Sequence, residues 1–408
     1  MISAEEAKNI IFSTPHELRG EVVPLADAHH RVLYHDVRSN DDIPPFKNSS
    51  MDGFAVHSPD TEGARPNSPI KLPIQLEVAA GDATDAKLAP KKAIRILTGA
   101  PLPSGADTVI PLELVVEREG GIVVSEAVPK GRNVREQGED IRSGEVVLRR
   151  GTHLRSAHIG VLASIGCSRV EVFHRPTMAI LTTGNELLAV DDALSGGKIR
   201  NSNAYSLAAL AHESGCQPVD LGVAHDNEVE LFGKIREGLL HDVLITSGGI
   251  SAGKYDYVLR VIKTAGVDLK FWKVNIKPGM PFAFGVYEKE GKSLPVFCLP
   301  GNPVSTVVTY LEFVQPFIFR LMGRPEQPLP LRLEAILDHE VSKSDGKKHY
   351  HRGVLDTAKG ELHVHSTGNQ SSGVLTSLVK ANCLIILPDN KSHFKKGERV
   401  VVELLPWF

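Results

Sequence analysis

The feature that most constrains the fold is a repeated alternation of strand and helix patterns between residues 173 and 324. Four apolar runs are typical of buried strands and end in turns rich in Gly, Asn or Asp: MAILTTG, PVDLGVAHD, DVLITSGG and VFCLPGNP. Helical apolar spacing follows them, as in NSNAYSLAALAHESG and VELFGKIREGLL. Such alternation predicts a sheet covered by helices on both faces, that is, a three-layer α/β/α domain.

The flanking segments predict further domains. Residues 45–139 contain short apolar runs separated by Gly and Pro, which predicts an inserted β-rich domain. Residues 325–408 contain alternating runs that predict a small C-terminal β-barrel, with a sandwich as the alternative. Residues 1–44 and 140–172 carry short helical patterns, among them the capping box SAEE and the segment ADAHHRVL, and are predicted to form one discontinuous helical domain. The predicted fold class is therefore multi-domain α/β and β.

Composition narrows the function classes. The 408 residues carry a net charge of −3 and no long basic run, which argues against nucleic-acid binding. The amino-terminal segment lacks a basic region followed by an apolar core, and no apolar run reaches transmembrane length, so we expect a cytoplasmic protein without a membrane anchor. The cysteines are far apart and form no C-x-x-C pair, which predicts reduced, buried thiols: Cys167, Cys216, Cys298 and Cys383.

Two H-x-H pairs raise the question of a metal site: His349 with His351, and His363 with His365. Alternate positions of a strand share one face of the sheet. Because no further ligands accompany either pair, the sequence favours histidines on the solvent faces of strands over a metal centre.

The third strand pattern runs into SGGISAGKYD, which from Gly248 spells G-x-x-x-x-G-K-Tyr. The phosphate loop of nucleotide hydrolases has Ser or Thr after the Lys, because a short hydroxyl there binds Mg²⁺. Tyr255 would place its oxygen too far out, so the sequence disfavours an ATPase. A Gly-rich loop after a strand still suits an anion or a nucleotide.

Carboxylates follow three of the predicted strands. Glu186 comes after the first strand, Asp226 after the second and Asp256 after the third. In sheets of this kind ligands bind beyond the carboxyl ends of the strands. Since Mg²⁺ takes one or two carboxylates together with substrate phosphate, the three are predicted metal ligands.

Groups suited to an anion are predicted at the same edge. Asn302 is a plausible N-cap and Pro303 the first helical residue, so the helix start is expected to offer free N–H groups. Lys273 and Lys277 have even spacing before a proline, which predicts that both point from one face of a strand. With the carboxylates, these groups predict Mg²⁺-dependent chemistry on a phosphate ester or anhydride.

Eight motifs follow one another along nearly the whole chain: PPFKNSSMDGFAV, LTGAPLPSGADTVIP, REQGEDIRSGE, TTGNEL, GKIRNSN, TSGGISAGKYDY, KPGMPFAFG and LPGNPVS. In this order they resemble the signatures of the molybdopterin molybdenumtransferase family, which also occur in the carboxy-terminal domain of gephyrin. The resemblance implies a cytoplasmic homodimer with four domains per subunit, in which residues 173–324 bind molybdopterin. It implies Mg²⁺-dependent cleavage of adenylylated molybdopterin, with insertion of molybdate and release of AMP.

The resemblance also implies site residues. Those implied to be catalytic are Asp52, Thr98, Asp140, Glu186, Asp226, Asp256, Lys273 and Lys277. Those expected to bind substrate are Gly248, Gly249, Ser251, Pro300, Asn302, Pro303 and Ser371. Ser372 is the alternative to Ser371 within the turn GNQSSG. In the family the cleft lies between the α/β domain of one subunit and the β-domain of the other.

Two other functions remain as alternatives. A molybdopterin adenylyltransferase shares the α/β domain but is a short single-domain protein, so the flanking β-domains disfavour it. A scaffold of the gephyrin type would have no need to keep the acidic and lysine residues together. The sequence does not decide between molybdate and tungstate, nor whether Lys254 contacts the substrate.

Overall fold

The chain divides into two compact units. The computed structural model describes residues 1–81, 85–225, 227–250, 257–324, 331–358 and 360–407. The first unit, called here the α/β–barrel unit, consists of Met1–Val22, His30–Tyr34 and Glu171–Phe408. The second, called the inserted unit, consists of Val23–His29 and His35–Val170. The chain passes from one unit to the other within strands β1 (Gly20–Pro24) and β12 (Arg169–Phe173).

The inserted unit is mostly β-structure. Its strands are β2 (Val37–Arg38), β3 (Asn48–Ser49), β4 (Gly53–Val56), β5 (Ile70–Val78), β6 (Ala93–Ile96), β7 (Thr108–Pro111), β8 (Val115–Arg118), β9 (Gly121–Val124), β10 (Val134–Arg135) and β11 (Val146–Leu148). Its helices are α2 (Ser156–Ser164) and the 3₁₀ turns Leu25–Asp27, Ser58–Thr61 and Leu112–Leu114. Six strands form one sheet in the order β7-β4-β6-β5-β9-β8. Phe54 and Val56 pack into one apolar cluster and Ala55 into another, which explains why all of β4 is buried.

The helix predicted through ADAHHRVL is wrong. The structure has a 3₁₀ turn at Leu25–Asp27, and His30 has a φ of 62°, which an α-helix cannot accommodate. Leu33 is then fully buried and forms an antiparallel bridge with Val172. Burial of this apolar pair therefore overrides the local helix propensity.

The α/β part of the first unit has the predicted three layers. Its strands are β13 (Thr177–Thr183), β14 (Leu187–Leu188), β15 (Ile199–Arg200), β16 (Gln217–Ala224), β17 (Val243–Ser247), β18 (Val267–Trp272), β19 (Ile276–Lys277), β20 (Ala283–Lys289) and β21 (Lys292–Leu299). Its helices are α1 (Ala4–Ser13), α3 (Ser202–Glu213), α4 (Glu228–Gly238), α5 (Tyr257–Thr264), α6 (Pro303–Thr309) and α7 (Gln315–Leu321), with a π-helical turn at Tyr310–Val314. The central sheet has the order β16-β13-β17-β21-β20-β18, in which β20 is antiparallel to its neighbours.

Both faces of this sheet are covered by helices. Met178 and Ile180 of β13 pack into the cluster that contains α3, α6 and α7, whereas Ala179 and Leu181 pack into the cluster that contains α4 and α5. Because six of the seven residues of β13 are buried, apolar residues follow one another from Met178 to Leu181 rather than alternating with polar ones. The predicted capping box of α1 is confirmed, since Ser3 N–H donates to Glu6 Oε2 at 2.7 Å and Glu6 N–H donates to Ser3 Oγ at 3.1 Å.

The predicted C-terminal barrel is confirmed. Its elements are β22 (Arg332–Leu337), β23 (Val341–Ser342), β24 (Lys348–Ala358), β25 (Glu361–Ser366), α8 (Thr376–Lys380), β26 (Cys383–Leu387), β27 (His393–Phe394) and β28 (Arg399–Leu404). Strands β24, β25, β22, β28 and β26 pair in that order, and β26 closes the barrel by pairing with β24. β19 adds to β24 in parallel, which joins the α/β part to the barrel. No helix within the described ranges is long and apolar enough to cross a membrane.

A buried ionic cluster joins α1, the π-helical turn and the barrel. Glu312 is fully buried, and its Oε2 accepts hydrogen bonds from Lys8 Nζ at 2.7 Å and from the Tyr350 hydroxyl at 3.0 Å. Glu403 is 2 % exposed and pairs with Arg332 at 3.1 Å. Burial and the negative charge of Glu312 raise the pKa of Glu403 well above its usual value. For Glu312, burial also opposes ionisation, but the charge of Lys8, the hydrogen bonds from Glu403 and Lys8 and the charge of Arg332 together outweigh it, and its pKa is lowered.

Replacing Lys8 with Met should therefore destabilise the chain. The change leaves Glu312 buried without its ammonium partner, and we expect the free energy of unfolding to fall by about 3 kcal/mol. Glu5→Gln on the same helix is the control, because Glu5 is 68 % exposed in its 2.8 Å pair with Lys348. An exposed pair of this kind contributes about 0–1 kcal/mol. Urea unfolding measures both variants, and equal losses would contradict the role given to the cluster.

Candidate active site

Three site residues predicted from the sequence, Glu186, Gly248 and Pro300, lie at the carboxyl edge of the central sheet, each just after a strand. β13, β16, β17, β18 and β21 all run in one direction, so their carboxyl ends meet there. The amino-terminal edge instead has a cavity of about 680 Å³. Two cations that line it, Arg19 and Lys292, are paired with Asp242 and Glu17. The carboxyl edge is the better candidate for an anionic substrate, since such sheets bind ligands at that edge.

Side-chain hydrogen bonds hold together the turns after β17 and β21. Ser247 Oγ donates to the Pro300 carbonyl at 3.1 Å, and Thr306 Oγ1 donates to the same carbonyl at 2.6 Å. Asn203 Nδ2 donates to Ser247 Oγ at 2.9 Å and to the Gly301 carbonyl at 2.8 Å. Asn203 is the last residue of the motif GKIRNSN, and the sequence predicted no role for it. Its amide fixes the distance between two predicted substrate-binding turns.

The start of α6 differs from the prediction. Asn302 is the N-cap and Pro303 the first helical residue, as expected, but Asn302 makes no capping hydrogen bond. Its Nδ2 donates to Ser372 Oγ at 3.0 Å, and the Val304 N–H donates to the Ser372 carbonyl at 3.1 Å. The expectation that this helix start offers free N–H groups is therefore wrong for Val304. Ser372, rather than Ser371, contacts the helix.

The glycine turn after β17 has little room for side chains. Gly248 and Gly249 have φ values of 100° and 65°, and a Cβ on Gly248 would lie 2.5 Å from the Thr183 carbonyl oxygen. The Gly248 N–H already donates to the Leu299 carbonyl at 3.1 Å, so it is not free to donate to an anion. The buried Thr183 Oγ1 has no hydrogen-bond partner among the described residues. Thr183 adds a polar atom to this edge that the sequence analysis missed.

Glu186 is the one predicted metal ligand in the part of the chain that the structure describes; Asp226, Asp256, Ser251 and Lys254 lie outside it. The Glu186 carboxylate folds back over Gly184, where an added Cβ would lie 2.5 Å from Oε2. Glu186 is exposed and has no ion-pair partner in the described ranges. Its carboxylate is therefore available to a cation.

Lys273 and Lys277 do not lie on one strand, so the prediction that they share a face is wrong. β18 ends at Trp272, and Lys273 has a φ of 72°, in the left-handed region. Lys273 Nζ lies 3.9 Å from the centroid of the Trp272 ring. Lys277 belongs to β19, and its Nζ lies 3.2 Å from Asp345 Oδ2. The two cations are therefore held by different neighbours, Lys273 by an indole ring and Lys277 by a carboxylate.

Arg352 is a buried cation that the sequence analysis missed. It is fully buried, with Nε donating to Ser377 Oγ at 3.1 Å and one terminal nitrogen donating to the Ser371 carbonyl at 3.2 Å. Burial lowers the pKa of Arg352 to about 10, and no carboxylate within the described ranges pairs with it. The sequence signal that could have identified Arg352 is its position on β24. It comes two residues after the buried Tyr350, so the two side chains lie on the same face of the strand.

The histidines are solvated as predicted only at His365, whereas His349 is buried and His351 and His363 are half-buried. His349 is 3 % exposed, and its Nε2 lies 2.7 Å from Asp345 Oδ1. His363 is half-buried, and its Nδ1 lies 2.8 Å from Asp338 Oδ1. No group of three His, Cys, Asp or Glu side chains suited to a metal occurs in the described ranges.

The cysteine prediction is confirmed for three of the four thiols. Cys216, Cys298 and Cys383 are buried and unpaired with one another, whereas Cys167 is half-buried. Burial raises the pKa of both Cys298 and Cys383 to about 12, so these thiols stay protonated at neutral pH.

Asp52 and Thr98 meet in the inserted unit. Asp52 Oδ1 accepts hydrogen bonds from the Thr98 N–H and from Thr98 Oγ1, each at 2.7 Å. These two bonds, the backbone one first, lower the pKa of Asp52. Asp140 lies on another turn of the same unit, where its N–H donates to the Ile43 carbonyl at 3.0 Å and its side chain is exposed.

Comparisons with known proteins agree along the whole chain. Family models described as MoeA N-terminal region (domain I and II), probable molybdopterin binding domain and MoeA C-terminal region (domain IV) match residues 2–166, 179–320 and 334–405. A molybdopterin molybdenumtransferase of Haemophilus influenzae is 35% identical over 99% of this chain and 98% of its own length. One from Nostoc is 34% identical over 100% of this chain and 94% of its own.

The chain belongs to the molybdopterin molybdenumtransferase family. A crystal structure of the molybdopterin biosynthesis MoeA protein from Pyrococcus horikoshii is similar to it, with a TM-score of 0.84 and 30% identity over 99% of this chain and 100% of that one. The family expected from the eight motifs and the multi-domain fold class expected from the strand and helix patterns are thereby confirmed.

Gly248→Ala should distort the edge of the sheet. The new Cβ would press on the Thr183 carbonyl at a φ that disfavours side chains, so we expect the free energy of unfolding to fall by about 1–3 kcal/mol. Gly233→Ala in α4 is the control, because no atom lies within 4 Å of its added Cβ. That change should stabilise the chain by up to about 1 kcal/mol. Thermal unfolding that ranks the two variants in the opposite order would contradict this account.

Thr98→Val should raise the pKa of Asp52 towards its ordinary value of about 3.9, because the hydroxyl donor is removed. Thr98→Ser keeps the hydroxyl and should leave the pKa lowered. A ¹³C NMR titration of the Asp52 carboxyl measures both variants. An unchanged pKa in the valine variant would exclude the side-chain bond as a cause.

Proposed function

We propose that this chain is a molybdopterin molybdenumtransferase, which inserts molybdate into adenylylated molybdopterin and releases AMP when the pyrophosphate is cleaved. The observation that carries the proposal is the pair of turns at Gly248 and Pro300, held together by Asn203 at the carboxyl edge of the sheet. Lys273 follows β18 at this edge, Lys277 of β19 lies between the α/β part and the barrel, and the barrel contacts the edge through Ser372. A substrate that carries pyrophosphate suits such a site, because anions require cations and polar hydrogens.

Molybdate is a substrate and a dianion, so it needs positive charge at a fixed place. Lys273 and Lys277 supply two ammonium groups, of which Lys277 is 60% exposed. Arg352 adds a buried positive charge behind the turn that carries Ser371 and Ser372. A buried guanidinium without a carboxylate partner favours an oxyanion nearby, since its charge is otherwise uncompensated.

The described carboxylate at the edge is of the kind that Mg²⁺ prefers. Glu186 offers a hard carboxylate that no cation in the described ranges occupies. We propose that Glu186 would hold the ion together with Asp226 and Asp256. When bound, Mg²⁺ would neutralise charge on the pyrophosphate. The chain's own cations would hold the phosphate and the molybdate in position.

The remaining family features are also proposals for this chain. We propose four domains per subunit, divided as residues 1–44 with 140–172, 45–139, 173–324 and 325–408. We propose a cytoplasmic homodimer, with Asp52, Thr98 and Asp140 acting in catalysis. The support for Asp52 is its fixed carboxylate, which the two bonds from Thr98 keep ionised.

The test is AMP release from purified adenylylated molybdopterin with Mg²⁺, with and without molybdate. We expect release that depends on molybdate and yields active cofactor; parallel reactions with tungstate compare the two oxyanions. Conversion of molybdopterin and ATP into the adenylylated product would instead indicate an adenylyltransferase. A folded protein that releases no AMP would favour a binding or scaffold role.

Lys273→Met should lower AMP release by about 10²-fold, as does loss of one preorganised donor in other enzymes. Lys270→Met is the matched control, because Lys270 is an exposed cation of β18 paired with Asp268 at 2.6 Å. That change should leave the rate unaltered. Equal rates in the two variants would remove Lys273 from the proposed site.

A further inference from the structure

Lys277 is held by a carboxylate from the barrel. β19 pairs in parallel with β24, so that Lys277 lies opposite His349. Lys277 Nζ lies 3.2 Å from Asp345 Oδ2, and Asp345 Oδ1 lies 2.7 Å from His349 Nε2. One carboxylate therefore binds the ammonium with one oxygen and the imidazole with the other.

The backbone fixes the carboxylate relative to the lysine. Asp345 precedes Gly346, which has a φ of 62° and forms the turn into β24. Asn275 lies two residues before Lys277, and its Nδ2 donates to the Gly346 carbonyl at 3.0 Å. The Lys348 N–H donates back to the Asn275 carbonyl at 3.2 Å. These two bonds clamp the Asp345 turn to the segment that carries Lys277.

The histidines form a defined hydrogen-bond chain. His349 Nδ1 lies 3.3 Å from His351 Nε2, while His349 Nε2 faces Asp345. If His349 is neutral and donates from Nε2 to the carboxylate, its Nδ1 accepts from His351. Burial lowers the pKa of His349 despite the opposing effect of Asp345, and burial together with nearby positive charges lowers the pKa of His351 to about 3, which keeps both rings neutral. The chain then runs from His351 through His349 to Asp345, which accepts from both His349 and Lys277.

The carboxylate remains ionised in this setting. Burial alone would raise the pKa of Asp345, but the hydrogen bonds from His349 and Lys277 outweigh it and lower the pKa. Lys343 adds a further positive charge that faces Asp345. The ammonium of Lys277 keeps two other N–H donors for a ligand, because one of its three is used by Asp345.

We propose that Asp345 and His349 are positioning residues, which fix the ammonium of Lys277 where the oxyanion substrate binds. A lysine has a long flexible stem, and an exposed lysine without such a contact samples many rotamers. His349 holds the second oxygen of Asp345, so that the first stays aimed at Lys277. The inference rests on the proposed function and adds two residues from the barrel to it.

The kinetic test uses AMP release at varied molybdate concentration with the full-length chain. His349→Phe removes the hydrogen-bond donor and should lower kcat/KM for molybdate about tenfold, because a displaced ammonium binds the substrate poorly. His349→Gln keeps a donor at the same reach and should retain most of the activity. His363→Phe is the matched control, since it removes a similar histidine–aspartate contact of 2.8 Å on the neighbouring strand β25. That control should leave kcat/KM unchanged.

A double-variant cycle separates positioning from a purely structural role. If His349 acts through Lys277, adding His349→Phe to Lys277→Met should cause no further loss of activity. Losses that multiply in the double variant would overturn the proposal. Equal losses in His349→Phe and His349→Gln would also overturn it.

Chemical labelling tests the contact independently of catalysis. Trace acetylation of the folded chain, read by mass spectrometry, compares the labelling rate of Lys277 with that of the exposed Lys396 as an internal reference. Loss of the carboxylate in Asp345→Ala should raise the relative rate for Lys277 about threefold or more, since an ion-paired ammonium is less accessible to the reagent. An unchanged ratio would overturn the clamp. Failure of the wild-type chain to release AMP would overturn the proposed function alone.

Discussion

Burial of the central sheet on both faces is the constraint on which the site depends. Met178 and Ala179 of β13 face opposite helical layers, and apolar side chains form the core on both faces. The polar groups predicted for the site, such as Glu186, instead follow the ends of the strands. The carboxyl ends of five strands meet at one edge, so short turns from distant parts of the sequence become neighbours there.

The barrel contributes to this edge as well as closing its own core. The turn GNQSSG rests on the start of α6 through Ser372, and the buried Arg352 supports the same turn from behind. A charge buried in this way is unfavourable without a partner, and an oxyanion substrate would compensate it. The unfavourable environment of Arg352 thus has a physical explanation in the proposed function.

The lysines at the edge differ in how they are held. Lys273 lies over an indole ring, whereas Lys277 is bound by a carboxylate whose other oxygen faces a buried imidazole. An aspartate beside an oxyanion site lowers the net positive charge, which reduces attraction, but it restricts the lysine to one position. For a reaction that must align two substrates, position contributes more than charge alone.

The sequence by itself determined the features that depend on local spacing. Strand–helix alternation gave the three-layer architecture, the SAEE box gave the start of α1, and the motifs gave the family. Glu186 and Gly248 lie at the expected edge because the end of a strand is a local property of the chain. Only the tertiary structure decided the rest. Lys273 has a left-handed backbone conformation, which separates it from Lys277. The Val304 N–H donates to the Ser372 carbonyl, and His349 is buried rather than solvated. Two of these outcomes, at Val304 and His349, are set by contacts between residues far apart in sequence or by burial, which no short-range pattern encodes.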